Sequence, residues 1–469
     1  MKQAARLNKW IVVFALISFK AGAQERHEFS VQQAVEYAMK NSAQVKNALI
    51  GVQIQEQTNR EITSAAYPQL NGNFSATYFP KIPIQTFPNF IATGTYHVLQ
   101  QEGVKNGSGQ PITVPSDVGF IEAQFGTRFT GVAGVDLDQI LFDGQVFVGL
   151  QARAAAIDYA RKAAEVTQEQ IKANIYKIYW QLIVGRNQIA TIDANIARSE
   201  KLLHDTREIY KNGFAEKLDV SKVEVNLTNL RTERLKVDNL IQSGLLGLKI
   251  LLGMPARDVL HLTDTLSLAR ETELKTEILE GTYAYSNRKE YQQIELAKKL
   301  GEYNVKRYKY TYFPAVSAFG SYSFNAMRNN FDFFDFKQKW FPTALVGVRV
   351  NVPIFDGFAK DARINRAKFE LAQTLNNMEN LKLSIDQEVE AARITMRSAV
   401  ASLELQRKNM DLAEEVYSQT KLKFEQGLGS TLEITNAESD LKVAQYNYYG
   451  ALYDAIIAIV DYRKATGTL

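Results

Sequence analysis

Cysteine is absent from the 469 residues, histidine occurs four times and methionine seven. Without a thiol there is no disulfide framework, no thiolate metal site, no cysteine nucleophile and no attachment point for a thioether lipid anchor. His27, His97, His204 and His261 are scattered without ligand spacing, so no metal site is expected. The chain also lacks a Gly-x-x-x-x-Gly-Lys phosphate loop, a Gly-x-Ser-x-Gly elbow and a His-Glu-x-x-His pair. These absences predict neither enzyme activity nor a bound cofactor.

A surplus of one charge is missing as well. The formal net charge of +4 is matched by Lys2, Arg6, Lys9 and Lys20, which lie in the first 23 residues where no acid occurs. The remainder is formally neutral and has no reason to bind nucleic acid. Residues 1–23 read as a secretory signal: a basic start, an apolar stretch from Trp10 to Phe19, and Ala21-Gly22-Ala23 as the cleavage pattern. Ten such residues are too few to span roughly 30 Å of hydrocarbon, and no 18-residue apolar run follows them. Export to the cell envelope or the medium is expected.

What is present is a duplication. Leu141-Phe142-Asp143-Gly144 recurs as Ile354-Phe355-Asp356-Gly357. Tyr210-Lys211-Asn212-Gly213-Phe214 follows the first and Phe424-Glu425-Gln426-Gly427-Leu428 the second, the glycines being 69 and 70 residues on. Upstream, Tyr67-Pro68-Gln69-Leu70 matches Phe313-Pro314-Ala315-Val316. Residues 358–426 contain neither Gly nor Pro, which predicts one helix about 100 Å long. Residues 145–212 have no Pro and only Gly149 and Gly185. Such helices need coiled-coil neighbours. A last helix carries a seam through Ala437, Leu441, Ala444, Tyr448, Leu452, Ala455, Ile459 and Tyr462. Shorter helical patterns run over about 30–66, 217–252 and 288–310, and 254–287 reads as an irregular connector.

Four segments alternate with period two, near 70–78, 128–138, 315–324 and 343–354, and aromatic residues mark their ends. Their length suits tilted membrane strands. Four strands leave two open edges, untenable in lipid, so closure must come from other copies. Two copies would give eight strands and a filled interior, whereas three give twelve and room for a lumen. The polar residues Asn71, Asn73, Thr130, Asp136, Asp138, Arg349 and Asn351 favour a wet lumen. The insert 80–127, with five prolines and six glycines, reads as an irregular surface loop. The aromatic insert 325–341, with Phe331, Phe333, Phe334, Phe336 and Trp340, is read as packing the rim in preference to closing the pore.

The chain resembles the TolC-like outer membrane efflux proteins of Gram-negative bacteria. The resemblance covers nearly all of the mature chain and lies in Ser30–Ser42, in Asn287-Arg288-Lys289-Glu290, and in the doubled Pro, Phe-Asp-Gly and Tyr/Phe-x-x-Gly-x-x-x-x-Leu-Asp/Glu landmarks. It implies a mixed α and β fold with a two-fold internal repeat of long coiled-coil helices and four transmembrane strands per protomer. Three protomers would form a 12-stranded barrel continued by an α-helical periplasmic tunnel. The expected divisions are a first repeat over 24–253, an equatorial connector over 254–287 and a second repeat over 288–469.

The function implied is a passive exit duct in the outer membrane for tripartite efflux or type I secretion. Its partners would be a periplasmic adaptor (membrane fusion) protein, an inner-membrane transporter of RND or ABC type, and outer membrane lipid. The scarcity of His, Cys and Met argues against dedicated soft-metal export. Gly213, Phe214, Gly427, Leu428 and Thr431 are the docking candidates at the periplasmic tip, where the glycines also have a helix-ending use. The family motif places the gate carboxylates on Glu433 and Asn436, its aromatic on Phe424 and its basic partner on Gly429, with Asp219 the first-repeat equivalent of Glu433. Asp143 and Asp356, which recur, are expected to cap helices and not to act as paired acids. The alternative of a soluble periplasmic coiled-coil scaffold or adaptor accounts for the helices but not for the four strands.

Overall fold

A computed structural model describes residues 26–266, 283–335 and 337–469. The expected signal at 1–23, Phe336 and connector residues 267–282 lie outside the described residues. In chain order the elements are β1 (Arg26–Phe29), α1 (Val31–Asn41), α2 (Ala43–Ser64), β2 (Gln69–Tyr78), β3 (Ile84–Pro88), α3 (Phe90–Gln101), β4 (Phe120–Gln124) and β5 (Phe129–Phe142). Then follow α4 (Gly144–Lys211), α5 (Lys217–Leu252), β6 (Val259–Leu262), α6 (Lys289–Lys309), β7 (Ala315–Arg328), β8 (Phe341–Asn351), α7 (Ala359–Glu425) and α8 (Thr431–Thr466). The chain divides into two compact units, each drawing on both halves of the sequence: one comprises Thr58–Gln151 with Tyr303–Ala367, the other the described remainder.

The first unit holds an antiparallel sheet in the order β2-β5-β7-β8. Its central pairing, β5 with β7, joins the first repeat to the second. Because side chains alternate along a strand, the register sorts them onto two faces. Leu70, Phe74 and Tyr78 stand opposite Leu137, Ala133 and Phe129, and the same face continues through Tyr322, Phe324, Val346 and Val348. The rings of Tyr78 and Phe129 meet at 4.8 Å.

The insert 80–127 is not the irregular loop its composition predicts. It contains the β3–β4 hairpin and a 12-residue helix, α3, capped by Asn89, whose Oδ1 accepts the Ala92 amide at 2.9 Å. Its prolines fall between elements or at the end of one: Pro80 and Pro83 precede β3, Pro88 closes it, and Pro111 and Pro115 lie between α3 and β4. Proline there removes no ladder or helix hydrogen bond.

The aromatic insert packs onto the apolar face. Phe331 and Phe333 set their edges against Phe129 at 5.8 and 6.5 Å. Phe333 lies over Gly131, where a Cβ would come within 2.6 Å of the ring. Trp340 packs beside Phe333 at 6.0 Å.

The second unit is helical. Its larger core gathers Ile175, Tyr179 and Ile183 of α4, Leu248 and Leu252 of α5, Met396 of α7, and Leu452, Ala455 and Ile459 of α8 with residues of α1. A smaller core nearer the α4–α5 turn joins Leu202, Val223, Leu227, Tyr417, Ile434 and Leu441, again one layer from each of the four long helices. The 30–66 pattern, expected as one helix, breaks at buried Ser42, whose ψ of 128° is extended. Nothing local requires that break. Gly253, left-handed at φ 74°, stands against the carbonyl of Asn41 and supplies a tertiary reason. The stretch 254–287, expected to be irregular, contributes β6, which pairs in parallel with β1 from Arg26↔Val259 to Phe29↔Leu262.

Candidate functional site

Both turns between the long helices are built alike. Gly213 (φ 80°) donates its amide to the Tyr210 carbonyl, and Phe214 reaches back to Ile209, each at 3.0 Å. Gly427 (φ 74°) donates to Phe424 at 3.0 Å and Leu428 to Lys423 at 2.9 Å. This paired closure satisfies the last helical carbonyls and needs a left-handed residue, which is why glycine recurs. A Cβ on Gly213 or Gly427 would meet nothing, so the requirement is conformational and not spatial.

Each returning helix is then capped. The Glu216 amide donates to Asp219 Oδ2 at 3.2 Å, and the Glu433 amide to Ser430 Oγ at 3.2 Å. Thr431 opens α8, and its carbonyl accepts the Thr435 hydroxyl at 2.7 Å. Acids in a first turn also suit the helix dipole. Gly429, where the family motif places a basic residue, sits in a tight turn: a Cβ there would lie 3.1 Å from the Phe424 backbone nitrogen, and a side chain needs the turn to give by a few tenths of an ångström.

The turns project apolar groups into solvent, Phe214 being 86% and Leu428 78% exposed. Glu433 and Asn436 are exposed in the first turns of α8, three residues apart and therefore on one helical face. Asp219 is half-buried at its cap. Phe424 points the other way, half-buried against the smaller helical core with Ile434 and Leu441. The tip candidates thus separate into exposed contacts and an inward anchor.

In the sheet, the register brings Asn71, Asn73, Thr130, Asp136, Asp138, Arg349 and Asn351 onto the face opposite the apolar one. Asn73 donates its side-chain amide to Asp136. Phe319 shares this face, where the third strand is least regular. Its ring covers Gly347, where a Cβ would fall 2.7 Å from Cζ, and the Arg349 guanidinium lies 4.9 Å from its centre. Asp143 accepts the Gln145 amide at 2.7 Å and Asp356 the Lys360 amide at 2.9 Å, both at helix starts.

One titratable residue escaped sequence reasoning. Glu438, 4% exposed, lies on α8 beside the smaller core. Its Oε2 accepts the Asn226 side-chain amide at 3.0 Å, while Oε1 is buried without a partner. Burial pushes its carboxyl up to about 7, against the opposing influence of the Arg198 charge, the Asn226 hydrogen bond and Lys442. The signal was available: Glu438 and Gln445 each follow a seam alanine, Ala437 and Ala444, so both border the apolar stripe. Gln445 is also buried and accepts from Asn195 at 2.8 Å.

Residues 283–468 match the family model described as outer membrane efflux protein. The chain is 23% identical over 444 residues to the outer membrane efflux protein BepC of Brucella suis, covering 92% of this chain and 84% of that protein. It is 19% identical over 345 residues to the outer membrane protein TolC of Vibrio cholerae, covering 72% and 76%. Among solved structures, a crystal structure of CusC superposes with a TM-score of 0.71 at 14% identity, over 97% of this chain and 95% of that one. That likeness fixes the fold.

Proposed function

We propose that this TolC-like chain, whose residues 283–468 form an outer membrane efflux protein domain, works as the exit duct of a tripartite efflux or type I secretion system. The chain is an outer membrane protein with a periplasmic extension. The observation that carries the reading is the two-faced sheet with two free edges. Among the described residues β2 pairs only with β5 and β8 only with β7. In lipid those edges need partners, and other copies of the same chain supply them without new chemistry. Three copies make twelve strands; Asp136, Asp138 and Arg349 then face water in the lumen while Phe74, Val346 and Val348 face outer membrane lipid. Two copies would force those charges into a side-chain-filled interior.

The helices α4, α5, α7 and α8 of three protomers make a 12-helix tunnel in the periplasm. At its tip, Gly213, Phe214, Gly427, Leu428 and Thr431 present the surface for a periplasmic adaptor, itself coupled to an inner-membrane transporter of RND or ABC type that supplies the energy. Exposed Phe214 and Leu428 support this use, since both apolar side chains are mostly open to solvent among the described residues. Three copies of Glu433 form a ring of carboxylates whose negative potential selects cations, and Asn436 forms a neutral ring one turn on. Phe424 holds the tip to the helical core, and Asp219 caps its return helix. The passage is passive, with no catalytic step and no cofactor assigned to it.

The deciding experiment is the mass of the complex in detergent followed by addition to a planar bilayer. A trimer producing discrete conductance steps is expected. A detergent-independent monomer or dimer without channel activity would overturn the duct.

A further inference from the structure

The smaller helical core is bounded by a polar layer, buried at Asn195, Tyr417, Glu438 and Gln445 and half-buried at Arg198 and Asn226, assembled from all four long helices. From α4 come Asn195 and Arg198; from α5, Asn226; from α7, Tyr417; from α8, Glu438 and Gln445. Glu438 stands eleven residues past Gly427. Arg198 lies 5.4 Å from the centre of the Tyr417 ring, and one of its Nη groups donates to Asn195. Two polar atoms of the layer, Glu438 Oε1 and Arg198 Nε, are buried with no hydrogen-bond partner. A buried carboxylate with one unmatched oxygen is poorly compensated, whereas the neutral acid buries less charge and keeps the Asn226 bond.

We propose that Glu438 is a proton-operated latch between the α4–α5 hairpin of the first repeat and the α7–α8 hairpin of the second, holding them docked when its carboxyl is protonated and loosening them when it is not. The inference rests on the duct reading for its consequence, readiness of the tip to open, and not for its chemistry.

The charged and titratable groups around Glu438 agree with this direction. On α4 the single such group acting on it is Arg198; on α7 it is Tyr417, whose hydroxyl burial keeps protonated; on its own helix it is Lys442, which is engaged at 3.5 Å by Glu233 of α5. Freed into water, the carboxyl titrates near its ordinary 4.5; docked, it titrates near 7. Between those values the docked state holds a proton that the loosened state releases. Docking is therefore fully supported below about pH 4.5, weakens as pH rises from there to about 7, and is level above it.

The test is hydrogen exchange of the full chain in detergent, followed by mass spectrometry from about pH 5 to about pH 8 after correction for the intrinsic exchange rate. Segments 195–206, 223–230 and 434–445 are expected to lose up to roughly seventyfold in protection across that range, and segment 171–184 of the larger core to stay level. Glu438→Gln, a neutral isostere, should abolish the pH dependence. Arg198→Gln should move the transition to higher pH, because the charge that opposes protonation is gone. An unchanged profile in Glu438→Gln, or equal loss in segment 171–184, would overturn the latch. Absence of channels in the bilayer with this titration intact would sink the duct reading alone.

Discussion

Gly253 stands against the carbonyl of Asn41 so closely that a Cβ would overlap it, and Gly467 stands against the carbonyl of Asn287 in the same manner, its Cβ position 2.8 Å from that oxygen. Asn41 and Asn287 each lie 27 residues before the repeat prolines Pro68 and Pro314. The duplication therefore extends to a shared tertiary contact: in each half, the left-handed end of the return helix seats on the carbonyl that precedes the next short helix.

Replacing Gly253 by Ala combines a left-handed backbone with a collision against backbone atoms. Gly253→Ala is expected to destabilise the helical unit by about 1–3 kcal/mol, read as a lower thermal midpoint in detergent. Gly51→Ala is the control, since a Cβ there meets nothing and the residue is helical. Equal midpoints for both variants would show that the Asn41 contact is dispensable.

Ion selectivity tests the tip of α8. Glu433→Gln should lower the cation preference of the channel under a salt gradient, and Asn436→Asp should raise it, because each changes the charge of a three-fold ring. Both side chains are exposed in the single chain, so folding should be unaffected. A reversal potential unchanged in both variants removes this face from the pore lining.

Docking tests the exposed turns. Phe214→Ser and Leu428→Ser change side chains that are mostly exposed and should leave trimer mass and conductance intact while reducing cross-linking to the periplasmic adaptor about tenfold, or ~1.4 kcal/mol. Gly427→Ile removes the left-handed residue and should impair the turn and docking while membrane insertion persists. Loss of insertion in Gly427→Ile would reveal a general folding defect, and undiminished cross-linking in the serine variants would place the adaptor elsewhere.

Loop seating tests the sheet rim. A side chain at Gly131 collides with Phe333, so Gly131→Val should unseat the aromatic insert and loosen the backbone around the exposed Lys337 and Lys339, speeding their cleavage by trypsin added to intact cells. Faster cleavage than in the wild type is expected. Cleavage at the wild-type rate would mean that Phe333 has an alternative seat.

Most of the architecture was legible because it is periodic. The four main strands follow period two, the long helices run without Pro and α7 without Gly as well, and the ends of all four are marked by glycine. Three features were not legible for reasons that differ. Ser42 breaks a helical pattern that has no local breaker, under contact from a residue more than two hundred positions away. Strands β1 and β6 are four residues each, too short for alternation to stand out, and pair across the whole first repeat. The insert 80–127 carries a proline-rich composition, yet the prolines sit between its elements, where they permit order.

The residue order alone determined the duplication, the two-sided strands, the capped helix ends and the seam of α8. Each of these depends on backbone conformation and side-chain direction over a few neighbouring residues. The tertiary structure decided that β5 pairs with β7 across the repeats, that Phe424 turns inward while Phe214 and Leu428 stay out, and that Glu438 is buried with an unmatched oxygen. Pairing across an edge, burial and desolvation depend on groups brought together from distant parts of the chain, and local periodicity carries no record of those partners.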